Sequence, residues 1–377
     1  MSRNDLAEKL QAGIDSLIQR HADIFSAVAG IETEDGSVYW SGASGTVHAG
    51  KAEEMQQSTP FFLGSTTKMY TAAAVLLLEE QGLLSLEDSI SRYLPGSVIE
   101  GLHVFRGQDY TDSLSIYHLL NHTSGLPDYF LRKRSDGSSL FGTISLGKDV
   151  QWNWSEAAGI ARSELTPKFS PADFGQEKVH PKSHYSDTNY QLLGAVIESA
   201  ASRPLAEVFA HYITEPLGLS STYLHDGSPG KEEQGFPAHF YYRQRPLFLD
   251  RALASSWADG GMVSTVSDGL VFMRSLIQGT LFDTPSTAGR MQEWYRSFFP
   301  FSYGLGLMRF RLPGFLSVLT GTPELIGHSG FNGSFHFYSP EDRVYTAGTL
   351  NQISNQRRTY DFISKMMRIV RKNHRAQ

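Results

Sequence analysis

Residues 65–82 read STTKMYTAAAVLLLEEQG, with a serine and a lysine three positions apart at the head of an alanine- and leucine-rich run. Alanine and leucine favour helices and Gly82 favours a stop, so the run predicts a helix over 65–81. A lysine one helical turn from a serine can take the hydroxyl proton if desolvation lowers the pKa of the lysine. The stretch therefore predicts Ser65 as a nucleophile and Lys68 as its base.

The Ser-x-x-Lys spacing is not decisive by itself, because it occurs at two other places in the chain. A glycine weakens the helix at residues 145–148, and a Pro-Gly pair makes residues 228–231 a turn. Only Ser65 opens a strong helix, whose N-terminus favours a developing negative charge. On spacing alone, a plain helix N-cap is the commoner role for such a serine.

The chain on either side of this helix changes from strands to helices and back to strands. Helical patterns in the middle of the chain cover 65–81, 85–94, 116–120 and 189–201. Strand patterns at the two ends cover 25–31, 38–41, 303–312, 325–328, 334–339 and 343–350. We therefore predict an α/β (α+β) fold, in which one antiparallel sheet is built from both termini, flanked by helices, and interrupted by a mostly helical lobe.

The length of the chain predicts two lobes. The 377 residues exceed the ~250–300 at which a single core usually splits. We assign 1–60 together with 251–377 to the sheet-containing lobe and 61–250 to the helical lobe, and we expect the functional site in the cleft between them. A long polar stretch between Tyr129 and His184 predicts loops with short helices, and such loops are often functional.

The composition excludes several classes of protein. Charged residues make up 19% of the chain and the formal net charge is -6, so no nucleic-acid partner is expected. The absence of cysteine excludes disulfides, thiolate metal sites and a cysteine nucleophile. The sequence contains no H-E-x-x-H cluster, Walker sequence or dinucleotide-binding pattern, so neither a metal nor a cofactor is predicted.

The compartment is predicted from the first residues and from the apolar runs. Asp5, Glu8 and Asp15 lie where a signal peptide needs an apolar segment. The longest purely apolar run, 72–78, is too short to cross a bilayer. We expect a cytoplasmic protein without a membrane span, or a periplasmic or secreted one if a leader has been removed.

A tyrosine stands directly before an apolar helix in the middle region, in the segment His184-Tyr185-Ser186-Asp187. A tyrosine can act as an acid or a base, but its ordinary pKa near ~10 means that a nearby lysine cation must favour the phenolate. For the segment taken alone, a half-buried loop tyrosine without a catalytic role is the commoner explanation.

A short strand near the C-terminus ends in glycines, in the stretch LIGHSGFNG at residues 325–333. Glycines at a strand end let a ligand approach the backbone, and such an edge can offer an amide N–H to an oxyanion. The stretch nearly matches the G-x-S-x-G nucleophile elbow, but Phe331 replaces the last glycine and no helix follows. A histidine that only packs on a strand is the alternative for His328.

In this order, Ser65-x-x-Lys68, Tyr185-Ser186-Asp187 and His328-Ser329-Gly330 resemble the three signature elements of serine β-lactamases and penicillin-binding proteins. The tyrosine and the histidine are similar to the branch that holds class C β-lactamases, D,D-carboxypeptidases, D-aminopeptidases and family VIII esterases. The segments HLLNHTSGL at 118–126 and DGGMVSTVSD at 259–268 are also similar to stretches common in this superfamily. The resemblance spans nearly the whole chain and implies a β-lactamase/transpeptidase-like fold.

The resemblance implies an acyl-enzyme mechanism. Ser65 would attack an ester or amide carbonyl, Lys68 and Tyr185 would share the roles of acid and base, and His328 would orient Tyr185 or a substrate carboxylate. The N–H groups of Ser65 and Phe331 would hold the oxyanion. Asp187 and Gly330 would contribute to substrate binding.

Two departures from the family pattern bear on the substrate. Asp187 stands where lactamases of this branch usually carry an asparagine that binds the substrate amide, and His328 replaces the usual lysine. Both argue against β-lactams, whereas Ser-Thr-Thr-Lys is similar to the family VIII esterases. We therefore predict hydrolysis of small esters, with a small-molecule ester or amide as the partner.

Other functions are compatible with the same motifs. The enzymatic alternatives are a D-amino-acid peptidase or amidase, a D,D-carboxypeptidase, a β-lactamase and an acyltransferase that uses another acceptor in place of water. The non-enzymatic alternative is a ligand sensor that is acylated without turnover. A broken serine, lysine or tyrosine would indicate the sensor, and all three are present. The sequence does not fix the oligomeric state.

Overall fold

The computed structural model describes residues 3–48, 50, 52–171, 182–228 and 236–374. The helices are α1 Arg3–Arg20, α2 Thr67–Glu80, α3 Gly96–Ile99, α4 Ile116–Leu120, α5 Leu140–Ser145, α6 Trp154–Glu164, α7 Asp187–Ala201, α8 Leu205–Phe209, α9 Asp250–Gly260, α10 Val266–Gln278, α11 Thr287–Arg290, α12 Gly314–Thr320 and α13 Gln356–His374. The strands are β1 Ser26–Thr33, β2 Tyr39–Gly45, β3 Phe61–Phe62, β4 Val104–Phe105, β5 Gln108–Asp109, β6 Tyr223–Leu224, β7 Phe240–Tyr242, β8 Arg245–Leu247, β9 Met262–Ser264, β10 Tyr295–Arg296, β11 Phe301–Tyr303, β12 Met308–Phe310, β13 Leu325–Ser329, β14 Ser334–Ser339 and β15 Val344–Thr349.

An antiparallel sheet joins the two ends of the chain. Within the described residues it has eight strands in the order β10-β11-β12-β13-β14-β15-β1-β2. The N-terminal hairpin β1–β2 lies beside the last strand, with Val28 opposite Thr349 and Ile31 opposite Thr346. The prediction of one antiparallel sheet built from both termini is confirmed.

Side chains alternate across β1, so that the sheet has two apolar faces. Ala27, Ala29 and Ile31 belong to the apolar cluster formed with α1 and α13, which cover one face of the sheet. Val28 belongs to the larger cluster that includes α10 and the helices around α2. The sheet is therefore held between a terminal helix pair on one side and the helices of the larger cluster on the other.

Two glycines allow α10 to lie close against the sheet. A Cβ on Gly30 would stand 2.3 Å from Val266 Cγ1, and a Cβ on Gly269 would stand 2.5 Å from His336 Nε2. Neither position has room for a methyl group, because such distances are far inside van der Waals contact. This close packing fixes the start of α10, and with it the strand β9 that precedes it.

The helix α2 is buried along most of its length, from Thr67 to Leu78. The short sheet β3-β9-β6 connects the segment before α2 to the segment after α9, since Phe62 pairs with Val263 and the Leu63 N–H donates to Met262 O at 2.8 Å. The end of α9 is thereby brought against the first turn of α2.

Some predicted elements are wrong or differ in extent. Residues 85–94 do not form a helix, because Asp88 accepts hydrogen bonds from the Ser85 N–H and the Tyr93 hydroxyl, and only a 3-10 turn at Ile90–Arg92 forms. The strand expected over 303–312 is two strands, β11 and β12, separated by a turn in which Gly306 has φ +75°. The helix α10 was not predicted. The Ser2-x-x-Asp5 spacing also predicts a cap for the first helix, and Ser2 lies outside the described residues.

The division of the chain into a sheet-containing lobe, 1–60 with 251–377, and a helical lobe, 61–250, stays a prediction. Among the residues that the structure describes, no helix has both the length and the apolar content that a membrane crossing requires.

Candidate active site

Ser65 lies in a 3-10 turn, Gly64–Thr66, which leads directly into α2. Gly64 adopts φ +50°, a left-handed conformation that glycine adopts without strain. The turn holds Ser65 at the wall of a cavity while Lys68, one helical turn later, lies inside the protein. The predicted spacing of the two residues on one helical segment is therefore found, with Ser65 in the turn rather than in α2.

The turn between β13 and β14 is fastened to the segment before Ser65. Asn332 Nδ2 donates to Phe62 O at 2.5 Å, and Ser334 Oγ donates to Leu63 O at 2.5 Å. A Cβ on Gly64 would stand 2.8 Å from Asn332 Oδ1, so the glycine is needed for this approach. The two hydrogen bonds place Phe331, the next residue before Asn332, beside the nucleophile turn.

The two residues predicted at this strand end have different surroundings. Within the described residues the Phe331 N–H donates to no protein acceptor, and its side chain lines the cavity. The Gly330 N–H donates to Ser334 O at 2.9 Å and is not free for an oxyanion. Gly330 instead provides close approach, since a Cβ there would stand 2.5 Å from Leu63 O. The contribution of Gly330 to substrate binding stays a prediction.

Lys68 is fully buried and is held by two oxygen atoms. Its Nζ donates to Asp259 O, a backbone carbonyl, at 2.7 Å and lies 2.6 Å from Asp187 Oδ1. Asp187 begins α7, where the helix dipole favours a carboxylate. Asp187 thus meets the lysine as a counter-charge, which an asparagine at that position would not supply.

Tyr185 reaches both Ser65 and Lys68. The Ser65 side chain acts on its hydroxyl and lowers the pKa of that group, and Lys68 Nζ lies 5.1 Å from its ring centroid. Burial, followed by the negative charge of Asp187, raises the pKa of Tyr185 well above its ordinary value. The expected stabilisation of a phenolate by Lys68 is thus opposed by the carboxylate that neutralises the lysine, and Tyr185 is a neutral hydroxyl in the resting site.

Two more buried carboxyl groups surround the lysine. Asp259 accepts hydrogen bonds from the Tyr129 hydroxyl at 2.8 Å and Gln191 Nε2 at 3.0 Å, and burial raises its pKa well above the ordinary value. Burial and the charge of Asp187 raise the pKa of Asp128 to about 7. Lys68 balances one negative charge, so the remaining carboxyl groups favour their protonated forms.

His328 is buried on β13 and uncharged. Burial, with the nearby Lys68, lowers its pKa to about 3. His328 Nδ1 lies 2.9 Å from Ser329 O, and since a carbonyl oxygen can only accept, Nδ1 is the donor. The other ring nitrogen, Nε2, therefore accepts from the Tyr303 hydroxyl at 2.9 Å. The rings of His328 and Tyr185 are 6.2 Å apart, centroid to centroid. The direct contacts of His328 are therefore with Tyr303 and Ser329.

A large cavity opens at Ser65. It has a volume of about 910 Å³, and Tyr185, Asp187, His328 and Phe331 also line it. About half of the other lining side chains are aromatic or aliphatic, including Phe130, Phe141, Phe298, Met308 and Ile353, and the lining also contains Lys168 and Lys182. The structure thus brings all the predicted catalytic side chains except buried Lys68 to the wall of one cavity. Across the described ranges, no group of three or more histidine or acidic side chains could hold a metal ion.

Comparison with known proteins decides the family. The family model described as Beta-lactamase matches residues 14–364 of the chain. The chain belongs to the beta-lactamase family. The resemblance inferred from the three motifs is thereby confirmed.

Curated members of the beta-lactamase family match parts of this chain. Esterase EstB of Burkholderia gladioli is 31% identical over 218 residues, covering 57% of this chain and 50% of the esterase. A putative D-alanyl-D-alanine carboxypeptidase of Salmonella typhi is 26% identical over 321 residues, covering 76% of this chain and 68% of the relative. The chain spans about half the length of the esterase and of the penicillin-binding proteins that it matches.

A solved structure confirms the beta-lactamase-type fold. The D-amino acid amidase of Ochrobactrum anthropi SV3, complexed with L-phenylalanine, has a TM-score of 0.77 and 20% sequence identity. The match covers 98% of this chain and 99% of the amidase. At this level of identity the likeness concerns the fold alone.

In this beta-lactamase family member, His122 has a structural function that the sequence analysis did not assign. His122 O accepts from the His184 N–H at 2.8 Å, and His122 Nδ1 accepts from the Ser186 N–H at 3.2 Å and from Asn189 Nδ2 at 2.8 Å. These bonds hold the backbone on both sides of Tyr185. The segment HLLNHTSGL carried the signal, but nothing in its pattern shows which later residues it contacts.

Proposed function

We propose that the chain is a serine esterase that hydrolyses small esters of apolar acids through an acyl-enzyme on Ser65. The observation that carries the proposal is the cavity of about 910 Å³ at Ser65, whose wall exposes mostly apolar surface. Such a lining binds an apolar acyl group by burying it, and requires no charge on the substrate.

The charge state of His328 supports an ester rather than a peptide that ends in a carboxylate. A D,D-carboxypeptidase substrate carries a free carboxylate, which a cation would bind. Because the pKa of His328 is lowered to about 3, this side chain is neutral near pH 7 and supplies no such cation. Lys68 neutralises Asp187, so a substrate carboxylate would have to bind Lys168 or Lys182, the cations of the cavity wall.

The acylation step starts from the form of the site in which Lys68 is uncharged: Ser65 Oγ attacks the carbonyl carbon, its proton passes to Tyr185, and the hydroxyl proton of Tyr185 passes to Lys68. Tyr185 is assigned to this transfer because its hydroxyl lies close enough to the Ser65 side chain for that side chain to affect its pKa. The two groups are named together because Lys68 Nζ lies 5.1 Å from the ring centroid of Tyr185, so that they form one path for the proton. The same pair then protonates the leaving alkoxide, so that an alcohol departs and an ester to Ser65 remains.

In the deacylation step, water replaces the alcohol and the proton transfers run in reverse. Tyr185 takes a proton from the water as it attacks the acyl carbon, and Ser65 recovers its hydroxyl proton as the acid departs. The N–H groups of Ser65 and Phe331 are assigned to the oxyanion in both steps. A donor of this kind is typically worth ~3–4 kcal/mol of transition-state stabilisation.

A D-amino acid amide is the second candidate substrate. Asp187 lines the cavity, and its carboxylate could pair with the ammonium group of such a substrate. The pairing would compete with Lys68, which lies 2.6 Å from Asp187 Oδ1. That competition is the reason why the ester is placed first. The acyltransferase and sensor alternatives find no support in the relatives or in the site, and they are not proposed.

The experiment is a comparison of substrates with the purified protein and the Ser65→Ala variant. The panel consists of p-nitrophenyl acetate, p-nitrophenyl butyrate, nitrocefin, D-alanine p-nitroanilide and D-phenylalanine amide. We expect turnover of the short esters, little turnover of the others, and loss of all turnover in Ser65→Ala. Faster turnover of D-phenylalanine amide than of the esters would establish the second candidate.

A further inference from the structure

The helix α12 presents an apolar face to solvent. Phe315, Val318 and Leu319 follow the i, i+3, i+4 spacing that places side chains on one side of a helix. Their exposed fractions are 73%, 84% and 79%, and no residue of α12 is buried. A lone exposed apolar side chain needs no explanation, but a grouped set indicates a binding surface.

A pair of exposed aromatic residues lies near this helix. Phe298 and Phe299, in the turn between β10 and β11, are 61% and 72% exposed. The Arg311 N–H donates to Pro300 O at 3.2 Å, which ties this turn to the segment that leads into α12. We call Phe298, Phe299, Phe315, Val318 and Leu319 the apolar rim.

The apolar rim is continuous with the cavity at Ser65. Phe298 belongs both to the rim and to the cavity wall. Phe301 lines the cavity and also a neighbouring groove, which extends to Thr320 at the end of α12. The rim therefore borders the cavity at Phe298, and the groove toward α12 is lined both by apolar side chains and by polar ones such as Arg357 and Asp361.

Exposed arginines surround the apolar rim. Arg311 pairs with Glu324 at 3.2 Å and Arg357 pairs with Asp361 at 3.6 Å. Arg368 Nη1 donates to Thr320 O at 2.8 Å, and within the described part of the chain neither Arg368 nor Arg296 meets a carboxylate. This edge is positively charged although the whole chain has a formal charge of -6.

We propose that the apolar rim docks on an anionic lipid surface, with its side chains among the acyl chains and the arginines at the headgroups. Amphipathic surfaces with apolar side chains flanked by basic residues bind membranes in this way. A second copy of the chain fits less well, because a two-fold contact would set the same arginines against each other. The docking does not depend on the chemistry at Ser65; its use to supply water-insoluble esters rests on the proposed function.

The test measures co-sedimentation of the full chain with vesicles of phosphatidylcholine alone and of phosphatidylcholine with phosphatidylglycerol. The rim variant is Phe315→Ser/Val318→Ser/Leu319→Ser, and the matched control is Leu146→Ser, which changes another exposed apolar residue, 64% exposed. Circular dichroism and thermal unfolding check that both variants fold. None of the substituted residues lines the cavity, so p-nitrophenyl butyrate reports the chemistry separately.

We expect at least tenfold tighter binding to the anionic vesicles, weakening with salt because exposed charges are screened. The rim variant should lose at least fivefold in vesicle binding and keep its turnover of dissolved p-nitrophenyl butyrate, while Leu146→Ser should keep both. Ser65→Ala should bind vesicles like the unchanged chain. Vesicle binding without ester turnover would remove the proposed function and leave the docking standing.

Equal affinity for both kinds of vesicle, or binding that survives in the rim variant, would overturn the proposal. So would a dimer, seen by analytical ultracentrifugation of the unchanged chain, that the rim variant abolishes while no vesicle binding occurs. That last result would assign the rim to contact between two copies.

Discussion

Asp187 places a carboxylate 2.6 Å from Lys68 Nζ, at a position where related lactamases usually carry an asparagine. Its charge is also a cause of the raised pKa of Tyr185, second to burial. At the scale of the residue, this one substitution therefore sets the balance of charge around the nucleophile. The sequence identified Asp187 as a departure, but its contact with Lys68 was visible only in the structure.

The charge of Asp187 has a consequence for the pH dependence of the reaction. In Asp187→Asn the negative charge is gone, so the pKa of Tyr185 should fall. The ascending limb of kcat/KM for p-nitrophenyl butyrate should then move to lower pH, by about one pH unit. Asp283→Asn, at the far end of α2, is the control and should leave the profile unchanged. A limb that stays in place, or that moves to higher pH, would contradict the assigned role.

Asp128 links the site to stability. Its pKa is raised from 3.8 to about 7, so the folded chain keeps a proton that the unfolded chain releases between these values. The free energy of unfolding should therefore fall as pH rises through this range. Asp128→Asn has no carboxyl group to ionise, so its free energy of unfolding should not show this fall. It keeps the acceptor oxygen for the Phe130 and Leu131 N–H groups.

Urea unfolding should thus give Asp128→Asn a higher free energy of unfolding than the unchanged chain, by a difference that grows from pH 5 to pH 8. The expected gain is on the order of 2 kcal/mol. A difference that is constant with pH would show that Asp128 is ionised in the folded chain throughout.

At the scale of the element, the connection between α4 and the start of α7 determines where Tyr185 lies. His122 accepts hydrogen bonds from the two residues that flank Tyr185, and it adopts φ +60°. Asparagine tolerates that left-handed conformation and offers an oxygen acceptor close to the position of Nδ1, whereas alanine offers no side-chain acceptor. His122 is therefore a positioning residue whose contribution can be separated from its packing.

His122→Ala should lower kcat by roughly 10–100-fold with little change in KM, because Tyr185 is misplaced and the binding cavity is intact. His122→Asn should recover most of that loss. The control is His336→Asn, at a buried histidine for which no hydrogen-bond partner is found among the described residues. It should change stability and leave kcat in place. An equal decrease of kcat in both His122 variants would show that His122 only packs and does not position Tyr185.

The contact between α10 and the sheet makes a prediction about stability alone. Gly30→Ala places a methyl group 2.3 Å from Val266 Cγ1 and should lower the free energy of unfolding by roughly 1–3 kcal/mol. Gly159 lies in α6, and a methyl group added there would meet nothing within 4 Å. Gly159→Ala should therefore raise the free energy of unfolding by up to about 1 kcal/mol, since alanine favours helices. Thermal or urea unfolding measures both changes, and a neutral Gly30→Ala would show that α10 can shift.

At the scale of the whole molecule, the order of motifs predicted the fold better than local patterns predicted its elements. Ser65, Tyr185 and His328 lie far apart in sequence, and the structure places them around one cavity. The helix expected over 85–94 failed because Asp88 organises turns through its own hydrogen bonds, which a periodicity does not register.

The remainder of the site depends on contacts between distant segments. Asp128 and Asp259 act on Lys68 only because β3 and β9 pair and because the segment before Tyr129 folds over α7. Asn332 and Ser334 fasten the strand end to the nucleophile turn through backbone oxygens, which leave no trace in the sequence. Such residues could not be predicted from local spacing.

The central claim is that Ser65 becomes acylated and that water then releases the acyl group as the free acid. The most direct test mixes the chain with p-nitrophenyl butyrate, stops the reaction with acid within the first turnovers, and weighs the intact protein and its peptides. We predict a transient mass increase of one butyryl group on the peptide that contains Ser65, and none in Ser65→Ala. Turnover with no adduct at any time, or an unchanged rate in Ser65→Ala, would contradict the account.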